Sequence, residues 1–311
     1  MSISTKRIDR TKRLNRILFV LALLSVALFV FSLFFSKSER TAPKPSSSAL
    51  LNPNNVEKID SIKISVRGTE IMLSKSDDFW HIRSENSKSN SLVDSKLVSA
   101  LISNASRIRE IYKISSDKND FSALGLSGGS AISFLSGGEP LSAVIFGISD
   151  ALSGRIAFRT FDGTESYETE DDFSQFLTVD ADYWIAGEFF YEIASANSSA
   201  ETIKLVCPEK NIDFKINSSD SRFPDISHSV MSLRHGKVCD LKKDGARKIA
   251  EIEVHSGNGE ISVAEIWKSK ASAEQESLFV TKKSTVKIGD DSAYELSEFT
   301  FNRIIGIFGG E

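Results

Sequence analysis

The chain predicts an α+β fold in which an N-terminal transmembrane helix precedes two tandem β-rich repeats, each a hairpin, a helix, an antiparallel meander and a short helix. Three observations predict it. Residues Ile17 to Phe35 form an apolar run in which only Ser25 and Ser32 are polar. From Ile62 onward apolar and polar residues alternate, the period of a half-buried strand. The order of elements then recurs after an offset of roughly 130 residues, which marks an internal repeat.

Residues 1–16 are a basic stub, with Lys6, Arg7, Arg10, Lys12, Arg13 and Arg16 against the lone acid Asp9. The run 17–35 rises ~28 Å as a helix, about the thickness of a bilayer's hydrocarbon core. Lys and Arg are retained on the cytoplasmic side, so a single-pass inner (cytoplasmic) membrane protein is expected, N-terminus in and the C-terminal bulk periplasmic or extracellular. A cleaved secretory signal has a shorter apolar core and a small-x-small site. Ser36-Lys37-Ser38 carries a lysine inside the site, so an uncleaved signal-anchor is expected. Ala22, Ser25 and Ser32 fall near one helix face, where small side chains permit close helix approach. Residues 36–55, with Pro43, Pro45, Ser46 to Ser48 and Pro53, read as a linker.

The first repeat is expected over 56–193. Ile62, Ile64 and Val66 form a strand, Gly68-Thr69 a turn, and Ile71 and Leu73 the return strand. Asp77-Asp78 turns again before Trp80 and Ile82. Ser91 with Asp94 has capping-box spacing, and Leu97, Leu101, Ala105, Ile108 and Tyr112 recur at helical intervals. Strands follow at Ile132 to Phe134, Leu141 to Ile145 and Ile156 to Phe158, with turns at Gly137-Gly138 and Asp162-Gly163. Thr169 with Asp172 is expected to cap a helix carrying Phe173, Phe176 and Leu177.

The second repeat is expected over 200–311, after a boundary at Ala194 to Ala200. Ile203, Leu205 and Cys207 pair with Ile212, Phe214 and Ile216 across a Pro208–Asn211 turn. A helix over Ile226 to His235 follows. Strands through Ile252, Val263, Val280 and Val286 to Ile288 precede a helix from Ser297 to Ile307.

Residues 1–40 hold eight basic and two acidic side chains, which leaves the rest with a formal charge near −10. That balance repels DNA and RNA. The basic stub suits anionic lipid headgroups, so membrane lipid is an expected partner. Cys207 and Cys239 form either a disulfide in an oxidising compartment or two small buried hydrophobes.

Candidate chemistry is sparse. Gly125-Leu126-Ser127-Gly128-Gly129 matches the hydrolase nucleophile elbow as a string, but that motif needs a strand before the serine and a helix after it. Here a polar loop precedes and a strand follows. His228, His235, Cys239 and Asp240 lie close in sequence, and His235 with Cys239 has metal-ligand spacing only if one helix holds both. Gly236 is expected to end that helix. His81 and His255 read as solvated strand residues. Glu165, Glu168, Glu170, Asp171 and Asp172 form an acidic cluster without the spacing or central glycine of a calcium loop, and a capping role is expected. Gly257-x-Gly259 lacks a third glycine and reads as a hairpin turn. Phe189-Phe190-Tyr191 and Phe299 to Phe308 read as core. No catalytic, cofactor-binding or metal-binding residue is assigned.

Trp80-His81-Ile82, Leu124-Gly125-Leu126, Phe146-Gly147, Arg155 to Arg159 and Tyr183-Trp184-Ile185 together resemble the uncharacterised bacterial family called domain of unknown function 4340, over roughly residues 56–190. The resemblance implies a single-pass membrane protein, encoded beside ABC-type transporter components, with no activity to carry over. The expected function is a non-enzymatic, membrane-anchored extracytoplasmic accessory or scaffold of an ABC-type envelope transport system, with transporter subunits as partners. The alternatives are a ligand-binding sensor using the groove between the copies, and an exported hydrolase with Ser127 beside a histidine and an acid.

Overall fold

The computed structural model describes residues 19–22, 24–25, 45–83, 90–195, 199–240, 245–272, 275–285, 290 and 292–309. The chain divides into two compact units, Met1–Ser46 and Ser47–Glu311.

In the first unit residues 19–22 and 24–25 are helical, and Ser25 Oγ donates to the Ala22 carbonyl at 2.9 Å. The rest of the run 17–35, Ser32 included, lies outside the described residues. Among the described residues no helix is long and apolar enough to cross a membrane. The expected transmembrane helix, the signal-anchor and the single-pass inner-membrane placement are corrected accordingly.

The second unit corrects the α+β expectation as well: it is predominantly antiparallel β, built from two sheets. Among the described residues the larger sheet holds ten strands and the smaller seven. The strands of the larger are β1 (Ser46–Ser48), β2 (Ser61–Val66), β3 (Thr69–Ser76), β4 (Phe79–Arg83), β5 (Asn90–Leu92), β6 (Arg109–Ser115), β7 (Ser130–Ser136), β8 (Glu139–Asp150), β9 (Arg155–Thr160) and β10 (Ser166–Glu170). Those of the smaller are β11 (Ala200–Cys207), β12 (Ile212–Asn217), β13 (Val238–Cys239), β14 (Arg247–Ser256), β15 (Ile261–Ser272), β16 (Gln275–Ser284) and β17 (Ala293–Leu296). The helices are short: α1 (Ser95–Ser106), α2 (Ala181–Trp184), α3 (Tyr191–Ser195), α4 (Phe223–Met231) and α5 (Glu298–Gly309).

Strand outweighs helix for local reasons. Asp94, not Ser91, caps α1 by accepting from the Lys96 N–H at 2.9 Å, and Ser91 lies on β5. Arg107 turns the backbone to extended geometry and ends α1 at Ser106. Ile108 is thereby left exposed and Tyr112 becomes part of β6. Thr169 lies on β10, and Asp171 instead caps the short turn after it, accepting from Ser174 N at 3.0 Å. The turn between β2 and β3 is Arg67-Gly68, one residue earlier than expected, both with positive φ. Residues 286–289, the last expected strand, lie outside the described residues.

The sheets share a strand order. In the larger the run is β6-β10-β9-β8-β7-β2-β3, and in the smaller β13-β17-β16-β15-β14-β11-β12. Each covers its own apolar core. Ile62, Leu73, Phe134 and Phe146 pack under α1 residues Val98 and Leu101 in the first. Leu205, Ile252, Ile266 and Val280 pack with Val230 of α4 and Ile304 of α5 in the second. Burial of each such side chain is worth about 1.5–3 kcal/mol. Phe189, Phe190 and Ile193 belong to the second core although they precede the stretch 194–200.

Candidate functional site

The two sheets meet at the segment Leu233–Val238, which runs from α4 to β13. It is bonded on both sides. The Phe189 N–H donates to Leu233 O at 3.0 Å and the His235 N–H to Gly187 O at 3.0 Å. The Gly236 N–H donates to Glu295 O at 2.8 Å, and the Glu295 N–H returns to Lys237 O at 2.8 Å. The Val238 N–H reaches Asp182 Oδ1 at 3.2 Å. The segment is therefore a clasp between α2 and the chain after it on one side and β17 on the other.

Beneath the clasp lies a buried polar network. Lys282 Nζ is 3.1 Å from Asp290 Oδ2, and both side chains are under a tenth exposed. The Tyr294 hydroxyl donates to the same carboxylate, 2.9 Å from Oδ1 and 3.0 Å from Oδ2. The ammonium also stands 4.6 Å from the centre of the Tyr294 ring. A buried charge is tolerated only with such compensation. The His235 ring stacks on Tyr294 with centroids 3.8 Å apart. Its Nε2 lies 3.3 Å from Lys282 Nζ and its Nδ1 2.9 Å from Gly236 O. An ammonium has no lone pair, so Nε2 accepts and Nδ1–H donates, which fixes the neutral tautomer. Burial, reinforced by the Lys282 charge, pushes the His235 pKa down to about 3. Burial also raises the Tyr294 pKa well above the usual phenol range, with Asp290 adding to it. Glu192 on α3 is buried and its pKa is raised by burial against the pull of Lys282. Among the described residues its Oε2 has no hydrogen-bond partner.

The larger sheet joins this network through β4 and β5. Ser91 Oγ lies 2.6 Å from Ser292 Oγ, and Ser292 Oγ donates to Asn90 O at 3.2 Å. A hydroxyl has one proton, so Ser91 is the donor to Ser292. The Ser292 N–H donates to Asp290 Oδ1 at 3.2 Å. His81 on β4 is half-buried, its pKa lowered by burial and opposed by the Asp290 charge. It is not the solvated residue expected, because β4 faces the second sheet there.

Two open grooves flank the clasp and share Arg234, His235 and Gly236 as a wall. One, of about 400 Å³, is lined by Asp94, Leu97, Asp182, Tyr183, Arg234 and Lys237. The other, of about 560 Å³, includes Glu276, Leu278, Glu295 and Glu298. The Arg234 and Lys237 side chains are 65% and 71% exposed, so both remain open to a partner. Each also reaches an acid, Glu188 at 3.4 Å and Asp182 at 3.7 Å.

The residues singled out in the sequence are dispersed. Ser127 is exposed on a turn and is followed by strand β7, not by a helix. The glycines around it serve packing: a Cβ on Gly129 would stand 2.2 Å from Phe146 O, and Leu126 is buried against Phe121 and Ile145. His228 is on α4, while His235 is in the clasp and Cys239 on β13, so no helix presents the last two together. Among the described residues no group of three His, Cys, Asp or Glu side chains is placed to hold a metal. Cys207 and Cys239 are thiols, Cys207 inside the second core. His255 pairs with Glu253. Each acid of the 165–172 cluster is engaged: Glu165 by Lys113, Glu168 by Arg155, Glu170 by Arg107, Asp172 by Arg107 and Arg109, and Asp171 by Ser174. Gly257 and Gly259 lie between β14 and β15. Phe189, Phe190, Tyr191, Phe301 and Phe308 are buried, and Phe299 is exposed.

Sequence reasoning missed Lys282, Asp290, Glu192 and the serine pair. One signal was present: Leu278, Val280 and Lys282 share the inward phase of β16, and a lysine continuing an apolar strand face marks a buried charge. Comparison with family models, with curated proteins and with solved structures yields no match.

Proposed function

We propose that this chain is a non-catalytic accessory or scaffold protein that holds a protein partner at the junction of its two sheets. The observation that carries the reading is the groove of about 400 Å³ in which the exposed Arg234 and Lys237 stand beside Asp94 and Asp182. Mixed, exposed charge on a rigid wall favours specific protein recognition and steers encounter. The strongly perturbed groups below it support the same reading. His235 is neutral near pH 7 with both nitrogens engaged, and the Tyr294 hydroxyl is committed to Asp290. These two side chains brace the wall.

The partner class follows from the family resemblance: a subunit of an ABC-type transport system. Affinity co-purification from cells lysed in detergent tests it. Recovery of ABC-type subunits with the tagged chain supports the proposal; recovery of the chain alone, from cells in which those subunits are intact and abundant, overturns it.

One observation favours a second reading, ligand binding. The groove of about 560 Å³ falls within the size range of small-molecule sites. Saturable stabilisation of the chain by an added solute or oligosaccharide would select it over the scaffold reading.

A further inference from the structure

The two sheets share seven strands in the same order and differ at one end. In the larger sheet β3 is followed by β4 and β5, whereas its counterpart β12 is the last strand of the smaller sheet. The outer edge of β12 presents backbone N–H and C=O groups to which no described strand is added.

The side chains of that edge specify what fits beside it. Ile212, Phe214 and Ile216 turn toward the core, where Ile216 is buried and Phe214 meets Phe308 with ring centroids 5.4 Å apart. Asp213 and Lys215 are on the exposed face. Within the sheet Lys215 stands opposite Lys204 of β11, a like-charge pair that is unfavourable when directly across. Lys204 has Glu253 of β14 on its other side, while the other side of Lys215 is the open edge. An acid arriving there relieves the pair, and a base arriving beside Asp213, which stands opposite Val206, gives that carboxylate a partner.

The segment Ile212-Asp213-Phe214-Lys215-Ile216 supplies both itself. Read backwards, apolar residues fall on apolar residues, the aromatic on itself, and each charge on its opposite. An antiparallel copy centred on Phe214 sets Asp213 against the partner's Lys215, and Lys215 against the partner's Asp213. Ile212 meets the partner's Ile216, and the two Phe214 rings meet at the twofold axis. Self-complementarity of this kind is the requirement of an isologous interface. We propose that two copies of this chain associate edge to edge through β12, antiparallel about a twofold axis at Phe214, so that the two smaller sheets become one continuous sheet. The proposal is independent of the partner assigned to the clasp grooves.

Sedimentation of the full chain tests it. The wild type is expected to show a reversible species of twice the 34.2 kDa chain mass at micromolar concentration. Lys215→Asp sets acid against acid twice and should weaken the dimer about tenfold or more. Asp213→Lys should do the same with two base pairs. The double exchange D213K/K215D restores opposite charges and should return the affinity to near wild type, and the two single variants should dimerise with each other when mixed. Should a variant fail to fold, carbodiimide treatment of mixed ¹⁵N-labelled and unlabelled wild type keeps the question decidable, since it should join Asp213 of one copy to Lys215 of the other. A monomeric wild type, indifference to K215D, failure of a folded double exchange to restore the dimer, or absence of the labelled-to-unlabelled link would overturn the proposal.

Discussion

Lys282 and Asp290 form an ion pair at 3.1 Å in which both side chains are under a tenth exposed, and the Tyr294 hydroxyl closes over the carboxylate. The pair ties β16 to the start of β17, and through Ser292 the same segment reaches β5 of the larger sheet. One hub thus serves both sheets.

Removing one partner leaves a charge buried without its opposite. Asp290→Asn is expected to destabilise the protein by about 3–5 kcal/mol. Lys282→Met should cost a comparable amount, and the double variant K282M/D290N should cost clearly less than the sum, because the two residues act as one unit. Urea unfolding of the four proteins measures this, and strict additivity would contradict the hub.

His235 gives the stability a pH dependence with a definite sign. Its folded pKa of about 3 lies below the ordinary value of 6.5, so the unfolded state binds more protons between the two. Its contribution is complete above pH 6.5 and declines as pH falls toward 3, by up to about 1.4 kcal/mol per pH unit. Glu192, raised by burial, acts oppositely from about pH 4.5 upward. Comparison of wild type with His235→Gln isolates the histidine: the variant should lose the decline between pH 6.5 and 5. An unchanged pH profile would show that His235 titrates normally.

The serine pair links the sheets. Ser292→Ala leaves Ser91 Oγ buried without its acceptor and should cost about 1–3 kcal/mol. Hydrogen exchange should quicken in β5 and β17 more than in β7 or β8. Uniform quickening across the unit would argue against a local link.

Gly129 and Gly128 separate packing from chemistry in the 125–129 motif. Gly129→Ala brings a Cβ within 2.2 Å of Phe146 O and should cost about 1–3 kcal/mol as the turn is pushed off β8. A Cβ on Gly128 meets nothing within 4 Å, and Gly128→Ala should change stability by less than about 0.5 kcal/mol. Thermal unfolding of the two variants distinguishes them.

Much of the sheet was legible because period-two alternation encodes a one-sided strand, as in Ile62-Ile64 and Ile252-Val254. What failed has physical causes. Ile108 and Tyr112 continue the helical spacing of α1, yet Arg107 redirects the backbone, and spacing alone carries no φ/ψ information. The apolar run 17–35 satisfies the length of a span, but among the described residues no helix does so. The acidic cluster was read by its position in sequence, whereas its partners come from the end of α1 (Arg107) and from β6 and β9 (Arg109 and Arg155), which only the fold brings near. The hub was hidden for the same reason: Glu192 and His235 are far in sequence from the Lys282–Asp290 pair they meet. The chemical palindrome of β12 was present in the sequence throughout, but it acquires meaning only once β12 is known to be an edge.

The most direct measurement is the affinity of the wild-type chain and of the variant R234E/K237E for a co-purified ABC-type subunit, with matched unfolding midpoints as the control for folding. The account predicts saturable binding by the wild type and a loss of tenfold or more in the variant. Equal affinity of the two proteins, or no binding by either, would contradict it.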